Sequence, residues 1–192
     1  MAMNVVKTDI EGVVIIEPTV YGDSRGYFFE SYSQLEFDEK VRPVKFVQDN
    51  ESRSHYGVVR GLHFQKGACA QSKLVRVIEG RVLDVAVDIR RGSPTFGKYV
   101  AVELSAENKR QLFIPRGFAH GFSVLSETVL FQYKCDNPYV PQSEGAIIWN
   151  DPEIGIDWQL PSDAVLLSEK DKYNPALSQA EELFDYNTDY YA

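Results

Sequence analysis

One stretch limits the fold more than any other: "KLVRVIEGRVLDVAVDIR", residues 73–90. From Arg81 onward, Leu83, Val85, Val87 and Ile89 alternate with Val82, Asp84, Ala86 and Asp88. Successive side chains of a strand point to opposite faces, so this is a period-two segment. One of its faces is apolar and the other includes carboxylates. The run follows directly on "KLVRVIEG", and the pair predicts a hairpin turning at Glu79-Gly80.

The same period recurs along the chain. Strand-like runs are "GVVIIEP" (12–18), "GYFFES" (26–31), "VKFVQDNES" (44–52), "GVVRGLHFQ" (57–65), "GKYVAVELS" (97–105), "RQLFIP" (110–115), "GFAHGFSVLS" (117–126) and "TVLFQYKCD" (128–136). Gly, Pro, Ser and Asn separate them. Many short strands at this spacing predict an all-β barrel or sandwich. One short helix is expected over 33–41, with Ser33 as N-cap and Glu36 three residues on. The last third is irregular, and "SQAEELFDY" (178–186) reads as a second helix. The acidic tail beyond Ser178, with Glu181, Glu182, Asp185 and Asp189, reads as a solvated cap.

Size and charge narrow the function. A single domain of 192 residues buries enough surface to need no disulfide. The net charge of −8 argues against a nucleic-acid or anionic-membrane surface. It leaves room for a small anionic ligand held by a few converging basic groups. The two cysteines, Cys69 and Cys135, stand in no metal or redox spacing and read as free thiols of a reducing compartment, the cytoplasm. The start "MAMNVVKTDI" has no basic region followed by a long apolar one, so no signal peptide is expected. Met1 and Ala2 precede a second methionine; the sequence leaves open whether they belong to the natural chain. No apolar run approaches a membrane span.

The stretch "VVRGLHFQ" (58–65) stands out because it sets Arg60 and His63 in an apolar strand. In a regular strand the two would face opposite ways. A bulge or twist at Gly61 is expected to turn both toward one interior. An isolated arginine is normally a surface ion-pair former, and a lone histidine normally a satisfied core group. An imidazole is also the side chain best suited to take a proton near neutral pH, with an ordinary pKa of ~6.5.

Several of these stretches together resemble one family. "DSRGYFFES", "FVQDNES", "VVRGLHFQ", "KLVRVIEGRVLDVAVDIRRGSPTFGKY", "LSAENKRQLFIPRGFAHGF", "YKCDNPYVPQSEG" and "LSEKD" span nearly the whole chain in order. They are similar to the dTDP-4-dehydrorhamnose 3,5-epimerase family, the third enzyme of the dTDP-L-rhamnose pathway. The resemblance implies a cupin-type jelly-roll barrel with a few short peripheral helices, filling residues 1–192 as one domain. It also implies a homodimer paired through exchanged N-terminal strands, so that "GVVIIEP" completes a neighbour's sheet; the other reading is an edge strand of the same chain. No metal and no organic cofactor are expected, and the substrate is a dTDP-sugar.

The resemblance also assigns roles. His63 becomes the catalytic base, since removing a proton from carbon beside a ketone needs a base within hydrogen-bond reach. Asp171, in "LSEKD", becomes its partner; from the residues alone it is a helix-cap or loop carboxylate. Tyr133 becomes the acid on the opposite face, although a barrel tyrosine is more often packing. Lys73 would stabilise an enolate, as a cation placed where charge develops; a lysine at a strand start is otherwise a solvated edge residue. Asp84 is expected to pair with Lys73 across the hairpin. His120 would face the ligand carbonyl, or equally serve as a structural barrel histidine. Arg25, Arg60 and Lys170 are candidate phosphate or sugar contacts. Glu30, Gln48, Asp49, Asn50 and Glu144 match family ligand contacts, and Tyr139 the aromatic that stacks on thymine.

Two rivals share the fold. A metal-dependent cupin usually carries His-x-His in its first motif, where this chain has His63-Phe64-Gln65. Only His55, His63 and His120 exist in the chain. A non-catalytic sugar-nucleotide binding module would not need His63, Tyr133 and Asp171 together. Within the family, a mono-epimerase acting at one carbon shares the same pattern.

Overall fold

A computed structural model describes residues 3–192; Met1 and Ala2 lie outside the described residues. In chain order the elements are β1 (Met3–Lys7), β2 (Val14–Pro18), β3 (Tyr21–Asp23), β4 (Gly26–Phe28), α1 (Gln34–Lys40), β5 (Gln48–His55), β6 (Val59–Gln65), β7 (Lys73–Glu79), β8 (Arg81–Asp88), β9 (Arg90–Arg91), β10 (Tyr99–Ser105), β11 (Gln111–Ile114), β12 (Phe118–Val124), β13 (Thr128–Cys135), β14 (Glu144–Ala146) and β15 (Phe184–Asp185). Two antiparallel sheets dominate. One has the order β1-β2-β11-β7-β13-β5, the other β10-β8-β12-β6-β14. The protein is all-β, as expected, with a single α-helix among the described residues.

Three apolar layers follow from strand alternation. Val75, Val77, Leu112, Ile114 and Phe131 of the six-stranded sheet meet Val82, Ala86, Leu104, Phe122 and Val124 of the five-stranded sheet between the two. Phe122 and Phe131 stack across this interior with ring centroids 4.3 Å apart. The outer face of the five-stranded sheet (Leu62, Leu83, Val85, Val87) is covered by Ile147, Trp158, Leu177 and Phe184 from the C-terminal third. The outer face of the six-stranded sheet (Ile16, Leu74, Phe113) is covered by Phe37 of α1 and by Val44.

Strand β8 is therefore buried on both faces, with only Arg81 exposed. Such a strand would ordinarily be apolar throughout. Its two interior carboxylates each have a partner. Asp88 accepts from the backbone and guanidinium of Arg90 and from the Ser93 and Thr95 hydroxyls. Burial pushes the Asp88 carboxyl up, and these donors outweigh it, holding it below the usual carboxylate range.

The expected hairpin at Glu79-Gly80 does not form. Strands β7 and β8 belong to different sheets, and the chain crosses from one to the other at Gly80. Gly80 has φ of +81°, and a Cβ there would sit 2.1 Å from the Thr128 carbonyl oxygen. Alternation reveals which faces are buried, not which neighbour a strand pairs with. Strand β2 pairs with β1 and β11 of its own chain, so within one subunit it needs no exchange to find partners.

The helix appears where expected, with the Ser33 hydroxyl accepting from the Glu36 backbone N–H at the N-terminus. The expected helix over 178–186 does not. Leu177–Gln179 forms a single 3₁₀ turn, and Phe184–Asp185 forms β15, parallel to β9. Leu177, Ala180 and Phe184 are all buried. The tail thus covers the sheet with its apolar residues while Glu181, Glu182, Asp185 and Asp189 stay exposed as expected, and tertiary burial overrides its local helix propensity. No helix among the described residues is long and apolar enough to cross a membrane.

Candidate active site

Strand β6 is where regular geometry breaks. Opposite β12, His63 pairs with His120 and Arg60 with Phe122, so β6 holds one extra residue between the pairs. This is the expected bulge. Gly61 adopts φ of +128°, with its ideal Cβ position 2.5 Å from Gly121 Cα, and the Gly61–Leu62 peptide is cis. Across the bulge Leu62 and Phe64 point to the outer layer, while both Arg60 and His63 line an interior cavity of about 590 Å³.

The cavity draws one wall from each sheet. The five-stranded sheet supplies His63 and Arg60 (β6) and His120 (β12). The six-stranded sheet supplies Lys73 (β7), Tyr133 (β13) and Asn50 (β5). The segment 166–171 closes one side and brings Lys170 and Asp171. All four residues expected to be catalytic therefore surround one space.

His63 Nε2 lies 2.6 Å from Asp171 Oδ1. Burial pushes the Asp171 carboxyl up, but the His63 hydrogen bond and charge, with Ser168 and Asn174, hold it below its ordinary range. An ionised carboxylate only accepts, so Nε2 donates and Nδ1 is the basic nitrogen of the ring.

His120 forms a second pair. Its Nε2 donates to Asp84 Oδ1 at 2.9 Å, with both groups buried. Burial lowers the His120 pKa; Asp84 opposes this, while Lys73 and His63 reinforce it. His120 is therefore a neutral ring that reaches the cavity wall. The expected Lys73–Asp84 ion pair is replaced by this bond, because β7 and β8 lie in different sheets. Asp84 still acts on Lys73 through charge, and its Oδ2 is buried without a hydrogen-bond partner.

Lys73 reaches the cavity with its Nζ 5.8 Å from the centre of the Tyr133 ring. Burial lowers its pKa, against the pull of Cys135, Asp84 and Glu144. Burial also raises the Tyr133 phenol, reinforced by Cys135 and opposed by Arg60. Tyr133 is thus held as a proton donor, whereas burial works against the charged form of Lys73 and Asp84 and Glu144 work for it. Such a cation is worth most where negative charge develops.

The remaining expected contacts divide. A chain of hydrogen bonds runs along the rim: Lys170 to Glu144, Tyr139 hydroxyl to Glu144 (2.8 Å), Tyr139 N–H to Gln48 (3.1 Å) and Gln48 amide to Asn50 (3.0 Å). Asp49 does not join it. Alternation along β5 turns it away from Asn50, and it pairs with Lys134 on the other face. Arg25 sits on the exposed β3–β4 hairpin, bound to Asp23. Glu30 lines a separate small cavity beside Tyr32 and Phe37. Neither reaches the main cavity within this chain.

Two residues went unforeseen. Ser52 lines the cavity, and the buried Ser54 accepts a hydrogen bond from Arg60 Nε at 3.1 Å. The signal for both was the alternation Asn50, Ser52, Ser54 in β5, a polar row on the face that points inward.

Comparison with known proteins identifies the family. A sequence model of the dTDP-4-dehydrorhamnose 3,5-epimerase family matches residues 7–179. The chain is 60% identical over 182 residues to dTDP-4-dehydrorhamnose 3,5-epimerase of Salmonella typhimurium, covering 93% of this chain and 97% of that one. Among solved structures, it matches dTDP-6-deoxy-D-glucose-3,5-epimerase of Legionella pneumophila in complex with dTDP-4-keto-L-rhamnose. The TM-score is 0.94 at 50% identity, covering 97% of this chain and 100% of that one. The corresponding enzyme of Elizabethkingia anophelis matches with a TM-score of 0.89 at 55% identity, covering 94% and 98%.

Proposed function

The chain belongs to the dTDP-4-dehydrorhamnose 3,5-epimerase family, and from that membership we propose that it inverts C3 and C5 of dTDP-4-dehydro-6-deoxy-D-glucose, giving dTDP-4-dehydro-L-rhamnose. The C4 ketone acidifies the protons on both neighbouring carbons. His63 removes one through Nδ1, while Asp171 holds the tautomer and stabilises the imidazolium that forms. Charge moves to the C4 oxygen, where Lys73 and the neutral His120 meet it. Tyr133 returns a proton to the opposite face of the carbon. Repetition at the second carbon completes the reaction. General acid–base action supplies about 10²–10⁴-fold, and the enolate contacts carry much of the remainder.

One observation carries this reading: His63 and Tyr133 stand in different sheets yet line one cavity, with Lys73 beside Tyr133. Incubation with the keto-sugar nucleotide in D₂O tests it. Deuterium at both C3 and C5 of the product fits; deuterium at one carbon only makes the protein a mono-epimerase; deuterium at neither overturns the reading.

The nucleotide end falls to Arg60, Lys170 and the rim around Tyr139. The working form is a homodimer in the cytoplasm. The exposed β3–β4 hairpin supports a second copy, because Tyr27 and Phe28 are about 60% exposed there. Arg25 and Glu30, which match family ligand contacts, lie outside their own chain's cavity and would need another subunit to reach one. Light scattering on the purified protein gives the oligomeric state. The two free cysteines support the reducing compartment.

A further inference from the structure

The C-terminal end of the chain is fastened to the strand that carries Lys73. The Tyr191 hydroxyl accepts from the Arg116 backbone N–H at 3.0 Å and shares a hydrogen bond of 2.6 Å with Ser72 Oγ, in which either hydroxyl serves as donor. Its ring lies between two guanidiniums, Arg42 at 3.6 Å and Arg116 at 4.9 Å from the ring centre. Ser72 is fully buried, and its backbone N–H donates to Asp136 Oδ1 at 2.6 Å. The other oxygen of Asp136 accepts from Arg116 Nε at 3.0 Å. Two chain segments thus meet this hydroxyl, the entry to β7 and the turn between β11 and β12, and Asp136 at the exit from β13 ties those two together.

Lys73 is the next residue after Ser72 and pairs with Cys135 in the β7–β13 register. Tyr133 lies two residues before Cys135 on the same strand. We propose that Tyr191 is a positioning residue, which through Ser72 sets where the Lys73 ammonium stands in the cavity. This inference rests on the epimerase reading for its catalytic consequence, though not for its structural one. The hydroxyl touches no cavity residue, so its influence passes entirely through the Ser72–Asp136–Arg116 cluster. The groups that act on the Lys73 ammonium are Asp84 (β8), His120 (β12), Tyr133 and Cys135 (β13) and Glu144 (β14). A shift of Lys73 changes its distance to all of them and its access to water.

Tyr191→Phe keeps the ring between its guanidiniums and removes only the hydroxyl. Tyr190→Phe is the control, since the Tyr190 hydroxyl accepts from the Asp185 N–H and does not touch Ser72. The first readout is competitive acetylation of Lys73 with acetic anhydride across pH, followed by peptide mass spectrometry on the full-length proteins. In Tyr191→Phe the Lys73 titration should move upward toward an ordinary lysine, while Tyr190→Phe leaves it in place. The second readout is kinetic: kcat should fall roughly tenfold in Tyr191→Phe, less than the ~10²-fold of a 1 Å misplacement, with KM little changed. An unmoved Lys73 titration in Tyr191→Phe overturns the proposal, as does an equal shift in Tyr190→Phe. Failure of the wild-type protein to epimerise overturns the epimerase reading instead, because the acetylation profile is measured without substrate.

Discussion

His63 and Asp171 are 108 positions apart in the chain, yet His63 Nε2 lies 2.6 Å from Asp171 Oδ1. Strand β6 holds the imidazole, while the 3₁₀ turn Lys170–Lys172, whose Asp171 N–H is bound by the Ser168 hydroxyl, delivers the carboxylate. Asp171→Asn keeps the shape but presents an amide that can drive the ring into the wrong tautomer. The expected result is a kcat loss of up to about 10⁴-fold at neutral pH, read by NMR of product formation.

The same pair sets an acid limit on stability. The folded Asp171 pKa lies below its unfolded value, so its stabilisation is present above roughly pH 4 and is lost as pH falls through the folded value. Urea unfolding of wild type and Asp171→Asn should therefore differ most near neutrality and converge in acid. A gap that widens as pH falls would contradict the assignment.

Tyr133→Phe separates the two halves of the chemistry. Without the phenol, the enolate still forms on His63 but has no donor on its other face, and it is reprotonated from the side it lost its proton. In D₂O, recovered substrate should gain deuterium while epimerised product falls by at least ~10²-fold. Loss of both signals together would mean that Tyr133 is needed before proton removal.

Lys73→Met should raise stability and remove activity. A lysine whose folded pKa lies below its unfolded value costs stability wherever the unfolded chain carries the proton. That cost is present at neutral pH and disappears as pH rises past about 10.4, the unfolded value. Thermal unfolding should show a higher midpoint for the variant at pH 7 and a vanishing difference at strongly alkaline pH. Its kcat should fall about 10²–10³-fold, the size of losing one oxyanion contact.

Gly61→Ala tests the bulge. The new Cβ would meet Gly121 Cα at 2.5 Å and the His120 carbonyl oxygen at 2.8 Å, both backbone atoms that cannot swing aside. Together with the positive φ, this should cost on the order of 2 kcal/mol or more, read as a lower urea midpoint. Activity should fall further than the folded fraction does, because His63 and Arg60 hang on the same bulge.

Much of this was legible in the sequence, for reasons that differ from residue to residue. Alternation in 81–90 showed a strand with an apolar face, and Leu83, Val85 and Val87 do form one layer while Val82 and Ala86 form another. It does not show the partner: at Gly80 the chain crosses between sheets instead of turning in a hairpin, and Asp84 meets His120 rather than Lys73. Gly61 between Arg60 and His63 announced a break in regular geometry, and the bulge is there. Asp171 was reachable only through family likeness, since nothing local ties it to His63. Asp49 stands between Gln48 and Asn50 in the sequence, but adjacent side chains of β5 face opposite ways and it meets Lys134 instead. The tail looked helical because its composition favours a helix, whereas Phe184 and Tyr191 gain more from docking on the barrel.

The division of the cavity between two sheets also means that distant parts of the chain build it together. Its lining residues His63, Lys73, His120, Tyr133 and Asp171 are spread over more than half of the chain. No single hairpin or continuous segment therefore holds the cavity by itself, and a cut anywhere between residues 63 and 171 parts one stretch of its wall from another.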